Sequence, residues 1–253
     1  MRNIVLIGIG EGDPEHLTVR AVEAMRSVDV FFILDKGERK KELVDFRAEV
    51  LGRYVPEGGY RIAEANDPPR DRSSAEYVSA VEDWRKRRAD VCERMIAEEL
   101  GEDETGAFLV WGDPTLYDST LGILEDILAR GTLSFEYTVI PGVSSVSSLV
   151  ARHRTGLNRI GRPVQITTGR RLAEGFPDGV DDVVVMLDAH CTFAEIENAG
   201  MEIYWGAYLG TPEEVTVSGT LPEVAEEIKR VRAEARERNG WIMDTYLLRR
   251  NPG

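Results

Sequence analysis

Three glycine-bearing turns hold the residues whose types and spacing could do chemistry. The first is "GIGEGDP", Gly8 to Pro14, directly after the apolar run "NIVLI". Glycines between a strand and a helix let backbone approach a ligand, and the helix start that follows favours negative charge. The spacing is G-x-G-x-G, not the G-x-G-x-x-G of a dinucleotide site, and Glu11 would repel a pyrophosphate. Asp35, closing the next apolar run, nevertheless stands about where such a site keeps its ribose-binding acid. The second turn, in "VWGDPTLYDS", repeats Gly-Asp-Pro after another apolar run. Turn chemistry alone could account for it: glycine for permissive dihedrals, aspartate to cap, proline to start a helix. Its occurring twice after a strand also suits a turn that meets a ligand. The third, "TVIPGVSSVSSLV", has Pro-Gly followed by Ser144, Ser145, Ser147 and Ser148. A nucleophile elbow needs G-x-S-x-G, and the second glycine is missing. His153 and His190 have no recognisable triad context either, so the hydroxyls read as helix caps or ligand contacts.

A fourth feature is a charge pattern. The chain carries a formal charge of −14, which argues against a nonspecific nucleic-acid binder. Yet segment 151–173 holds Arg152, Arg154, Arg159, Arg162, Arg170 and Arg171 and no Asp or Glu. Two readings stand: local recognition of an anion, or an arginine face paired with acids from elsewhere. Cys92 and Cys191 form no framework or CxxC site, and the three histidines lack ligand spacing, so no metal is expected.

These residues need elements to position them. "RNIVLIGIG" reads as a buried strand, "DPEHLTVRAVEAMRSV" as an amphipathic helix with Pro14 in its first turn, and "DVFFILD" as a second strand. A helix is expected over 39–51, then a proline-rich loop and a long polar helix. "AFLVWGDP" and "FEYTVIPG" are strands, each leading through a glycine turn into a helix. In open α/β sheets such turns gather at the carboxyl edge, where ligands bind. In the second half, "PVQITTG", "DDVVVMLDA", "EIYWGAYLG", "EEVTVSGTL" and "WIMDTYLLRR" are strand candidates, with helices at about 192–199 and at 222–238, implying a mixed sheet. The expected division is an α/β domain over 1–160, with an inserted helix near 66–100, and a second α/β domain over 161–253, the linker lying near "TGLNRIGRP". No run reaches the roughly 20 apolar residues of a membrane span, and the opening segment is unlike a signal peptide. A cytoplasmic protein with no membrane and no nucleic-acid partner is expected.

Taken together, "IVLIGIGEGDPEHLTVRAVEAMRSVDVFF", "LVWGDPTLYDSTLGIL" and "TVIPGVSSVSSLVARH" resemble, in order, the three motifs of the tetrapyrrole methylases. The likeness extends through "VVVMLDA" and "GTPEEVTVSGTL" and covers most of the chain. It implies two α/β domains of that family's type, S-adenosyl-L-methionine bound in a cleft between them, and a homodimer. Carried over by motif, it implies cofactor contacts at Gly10, Trp111, Gly112, Asp113, Leu116, Ser144, Ser145, Met186 and Gly210. "FFILDKGERKKEL" and the insert beginning "NDPPRDRSS" are most similar to members that methylate precorrin-5 at C-1 and release acetate in cobalamin biosynthesis.

The chemistry so implied is undemanding for methyl transfer, which chiefly needs alignment of carbon, methyl and sulfur about 3 Å apart. Acetate release needs water delivered to an acyl carbon, a general base and an oxyanion donor. Asp35 and Lys36 are the candidates, against a plain strand end with solvated charge. A precorrin carries many carboxylates, so Arg70, Arg72, Arg152, Arg154 and Arg170 are its candidate partners. Rival expectations are methylation at a different precorrin carbon, a nucleotide-dependent oxidoreductase and a non-catalytic corrinoid carrier.

Overall fold

A computed structural model describes residues 1–35, 41–69, 77–196 and 200–250. The chain forms two compact units, one of Met1–Gly10 and Pro14–Val143, the other of Glu11–Asp13 and Ser144–Gly253.

The first unit runs β1 (Arg2–Gly8), α1 (Val19–Met25), β2 (Val30–Asp35), α2 (Lys41–Tyr54), β3 (Arg61–Asn66), α3 (Tyr77–Glu99), β4 (Thr105–Val110), α4 (Thr120–Arg130) and β5 (Phe135–Ile140). Its sheet has the order β3-β2-β4-β1-β5, with all pairings parallel. The continuous apolar runs follow from helices on both faces, because a strand covered twice has no polar side. In β1 the period of two sorts the residues: Ile4 and Leu6 join Ile96, Ile123 and Ile127 of α3 and α4. Val5 and Ile7 join Met25, Phe46 and Val50 of α1 and α2.

Two elements differ from expectation. Pro14–His16 form only a short 3-10 turn, and α1 starts at Val19, where the Thr18 hydroxyl accepts from the Ala21 N–H at 3.1 Å and fixes the start. β3 has no counterpart in the sequence reading. It is an edge strand with a largely exposed pattern, so it needs no apolar run.

The second unit contains α5 (Ser145–Arg152), β6 (Val164–Thr168), α6 (Gly169–Leu172), β7 (Asp182–Met186), β8 (Met201–Ala207), β9 (Val215–Thr220), α7 (Leu221–Asn239) and β10 (Asp244–Arg250). The sheet order is β6-β7-β10-β8-β9, parallel only between β6 and β7. It is the mixed sheet expected. Met201, Ile203, Trp205 and Ala207 of β8 share a core with Leu221, Ile228 and Ala235 of α7. Helix α5, placed by the sequence ahead of the linker, packs on β8 and β10, so the unit division falls at Val143 and Ser144. The helix expected at 192–199 is a 3-10 turn at Thr192–Ala194, residues 197–199 lying outside the described residues. Among the described residues, no helix is long and apolar enough to cross a membrane.

Candidate functional site

In the first unit, β4, β1 and β5 are neighbours, so their carboxyl ends lie side by side: Gly8 pairs with Val110, and Ile7 with Ile140. The three glycine turns therefore emerge together. A Cβ added at Gly8 would lie 2.5 Å from Gly142 N and 2.9 Å from Gly112 O. Each motif thus supplies one glycine to a junction of bare backbone, where no side chain fits. Gly112 N donates to Gly10 O at 2.7 Å, joining the first turn to the second. Asp113 joins the second to the third: its Oδ2 accepts from Gly142 N at 3.1 Å, and its Oδ1 from Thr115 N at 2.7 Å. Trp111 packs on Phe46 of α2, ring centroids 4.8 Å apart. Gly112 is buried with φ +73, and a Cβ there would meet nothing within 4 Å. The open space at this buried glycine is a cradle of bare backbone. Leu116 is half-buried in the same turn, its N–H donating to Asp113 O at 3.2 Å.

A second group forms within the other unit. The Ser144 hydroxyl accepts from Ser147 N at 3.3 Å and caps α5. Ser145 opens the helix and is half-buried. Buried Ser148 donates to Glu11 Oε1 at 2.6 Å. Glu11 is therefore a structural anchor in this unit, which explains an acid in a turn that otherwise suits anions. Gly210 sits against it: a Cβ there would lie 2.8 Å from both Asp13 N and Glu11 Oε1. Gly210 N donates to Glu214 Oε2 at 2.8 Å, and Arg152 pairs with Glu214 at 2.9 Å. Met186 ends β7 half-buried, and Leu187 follows with φ +56 and 66% exposure. A left-handed leucine pointing at solvent is the kind of strain found beside ligand sites.

The cofactor candidates thus form two sets, Gly10, Trp111, Gly112, Asp113 and Leu116 in one unit, and Ser144, Ser145 and Gly210 with the β7 end, Met186, in the other. Asp35 is exposed at the end of β2, its carbonyl accepting from Asp67 N at 2.8 Å. Lys36, Arg70 and Arg72 lie outside the described residues. The arginine window resolves in part as the paired alternative: Arg152 meets Glu214, Arg159 meets Asp181 and Asp182, and Arg171 meets Glu174. Arg154 and Arg170 are exposed. Sequence reasoning missed Gly8 and Gly142 as junction residues, although the repeated strand-then-glycine signal contained both. It missed Arg47 on α2 and Arg88 on α3 entirely. These flank a cavity beside Trp111, and nothing in their local sequence marks them.

Residues 3–225 match the family model described as Tetrapyrrole (Corrin/Porphyrin) Methylases. A protein of Sinorhizobium sp., named precorrin-6A synthase [deacetylating], is 50% identical over 250 residues, covering 99% of this chain and 96% of that one. The crystal structure of a cobalamin synthesis related protein (CobF) from Corynebacterium diphtheriae is similar with a TM-score of 0.83 and 35% identity, over 98% of each chain. A uroporphyrin-III C-methyl transferase from Thermus thermophilus, solved in complex with S-adenosylhomocysteine, shares the fold with a TM-score of 0.61 at 19% identity, over 97% of this chain and 96% of that one.

Proposed function

The chain belongs to the tetrapyrrole (corrin/porphyrin) methylases, and we propose that it methylates precorrin-5 at C-1 with release of acetate, giving precorrin-6A in cobalamin biosynthesis. The observation that carries this reading is 50% identity to the Sinorhizobium precorrin-6A synthase across 99% of the chain.

The residues fit S-adenosylmethionine as the methyl donor, since the open side of Gly112 offers buried backbone to a ligand. When bound, that cofactor supplies an electrophilic methyl group. The chain's own tasks are holding, aligning and excluding water. Trp111, Gly112, Asp113 and Leu116 are the proposed contacts from one unit, with Gly10 fixing the Gly112 backbone. Ser144, Ser145, Met186 and Gly210 are those from the other. Acetate release places a water oxygen on the acyl carbon and breaks that carbon's bond to C-1. The bonding pair stays on C-1, which then takes the methyl. Asp35 is the proposed base for the water, Lys36 the charge that steadies the oxyanion. Arg70, Arg72, Arg152, Arg154 and Arg170 are proposed partners for the substrate's carboxylates, and the enzyme is proposed to work in the cytoplasm as a homodimer.

Turnover of precorrin-5 with S-adenosylmethionine tests the reading. Methylated tetrapyrrole and free acetate should appear in equal amounts. Methylation without acetate would move the assignment to another precorrin carbon, and no methylation with intact cofactor binding would leave a carrier. Light scattering of the purified protein tests the dimer.

A further inference from the structure

Among the described residues, five that are not glycine hold a left-handed backbone: Tyr117, Arg154, Leu187, Cys191 and Tyr208. A bulky side chain adopts that region only where its surroundings impose it. For three of them the reason is local. Arg154 closes α5, its N–H donating to Ala151 O at 3.1 Å. Cys191 opens the turn at Thr192–Ala194, its carbonyl accepting from Ala194 N at 2.9 Å. Tyr208 is buried, its hydroxyl donating to Trp241 O. Leu187 follows the cofactor candidate Met186. Tyr117 follows the cofactor candidate Leu116 in the second glycine turn, with φ +52 and 48% exposure. It stands between two fixed points. Before it, Leu116 N donates to Asp113 O at 3.2 Å. After it, Asp118 Oδ1 accepts from Thr120 N at 2.7 Å, and Ser119 Oγ accepts from Arg88 Nη1 at 2.8 Å. The turn thus holds an aromatic residue at the surface in a conformation that costs free energy, as happens at ligand sites. Burial also falls along the turn: Gly112 is buried, Leu116 half-buried, Tyr117 and Asp118 exposed. The floor of the turn suits the cofactor, and its outer end is left to a ligand arriving from solvent.

Resting on the function proposed above, we propose that Tyr117 is a substrate-binding residue whose ring is a platform for one face of the tetrapyrrole. A tetrapyrrole is a broad macrocycle with carboxylates at its rim. The rim suits arginines, but the faces are apolar and need an apolar surface. Tyrosine brings a large apolar area, prefers offset stacking on a second π-system and keeps a hydroxyl for a wet edge. A ring fixed in advance by its backbone also loses little freedom on binding. The adenine of the cofactor is the other flat group such an enzyme would hold. The exposed end of the turn favours the larger ligand, which must enter and leave through solvent.

The test is two titrations of the purified full chain. One uses uroporphyrin III, a stable tetrapyrrole, followed by the shift of its absorption band; the other uses S-adenosylhomocysteine, followed by calorimetry. Tyr117→Gly removes the ring and takes the left-handed turn without strain, so it should keep the wild-type Tm. It should bind uroporphyrin III about tenfold more weakly, through loss of the stack and of the area it buries, and S-adenosylhomocysteine normally. Tyr117→Phe should bind both as the wild type does. Tyr117→Leu, apolar but without a π face, should lose part of the tetrapyrrole affinity. Should Tyr117→Gly be unstable, the comparison of Tyr117→Phe with Tyr117→Leu, both bulky in the same backbone, decides. No binding of uroporphyrin III by the wild type, or full tetrapyrrole affinity in Tyr117→Gly, overturns the platform. A parallel loss of S-adenosylhomocysteine affinity would place the ring against the adenine and overturn it too. Tetrapyrrole binding that depends on Tyr117, in a chain that does not turn over precorrin-5, would support the platform and remove the reaction proposed for it. Turnover of precorrin-5 with an unchanged KM in Tyr117→Gly would do the reverse.

Discussion

Gly142→Ala tests the glycine junction most directly. The new Cβ would sit 2.8 and 2.9 Å from the carbonyl carbon and Cα of Gly8, and closer still to the carbonyl oxygen of Gly112. Carbon atoms in good contact lie about 3.5–4.0 Å apart, so the three turns must separate by roughly 1 Å. All three neighbours are backbone, and none can rotate away. Overpacking of this kind costs about 1–3 kcal/mol, a fall in Tm of roughly 2–12 °C at this chain size. A 1 Å displacement of positioning groups also costs about 100-fold in turnover. Two further alanines separate strain from site. Gly131 at the end of α4 has φ +69, Gly112 has φ +73, and a Cβ meets nothing within 4 Å at either. Each left-handed alanine should therefore cost about 1–2 kcal/mol. Only Gly112→Ala puts its methyl where the cofactor is proposed to lie. Calorimetric titration with S-adenosylhomocysteine should show normal affinity in Gly131→Ala and a loss of tenfold or more in Gly112→Ala and Gly142→Ala. Equal affinity in Gly112→Ala and Gly131→Ala would refute the cradle, and an unchanged Tm in Gly142→Ala would refute the junction.

Three other outcomes are expected. Ser144→Ala removes the cap of α5 and should cost about 1 kcal/mol in denaturant unfolding, whereas Ser145→Phe keeps the cap and should weaken S-adenosylhomocysteine binding; normal affinity there removes Ser145 from the cofactor's contacts. Glu104 is held down to about 2 by hydrogen bonds from Arg61 and then from Gly101 N–H, so its stabilisation is complete above its ordinary 4.5 and fades as pH falls from 4.5 toward 2. The Tm gap between wild type and Glu104→Gln should shrink over that interval, and a gap constant from pH 6 to 3 contradicts the pairing. Burial pushes the Cys92 thiol up to about 12, so a disulfide reagent at pH 8 should leave it unmodified until denaturant is added; rapid labelling in the native protein, read by mass mapping, would place it at the surface.

Continuous apolar runs, three of them closed by a glycine turn, made most of the first unit legible. Those strands are covered on both faces, so burial is written into every residue of "IVLI" and "AFLV". β3 was not legible because an edge strand is defined by the neighbour it pairs with, here β2, and "RIAEAN" carries no period of its own. The start of α1 was misjudged because proline fits a 3-10 turn as well as a helix, and the Thr18 cap lies four residues further on. The site divides the same way. Gly112 and Gly210 announce themselves in small, turn-forming sequences. The contact of Ser148 with Glu11 spans 137 residues, and no local pattern reports it.

Charge shows the same limit more sharply. Segment 151–173 has no acid of its own and reads as a basic patch, yet Arg159 is matched by Asp181 and Asp182, and Arg152 by Glu214. The same Asp182, fully buried, also receives Arg249 Nε at 2.6 Å, so one carboxylate serves two arginines from distant parts of the chain. Removing Asp182 would take its carboxylate from Arg249 and leave Arg159 with Asp181, and breaking a buried pair of this kind costs about 3–5 kcal/mol. Arg232 repeats the logic with Asp244, which burial raises against the opposing pull of that arginine. Arg159, Arg232 and Arg249 are struts. Charge matching is a property of the folded chain, not of the sequence window.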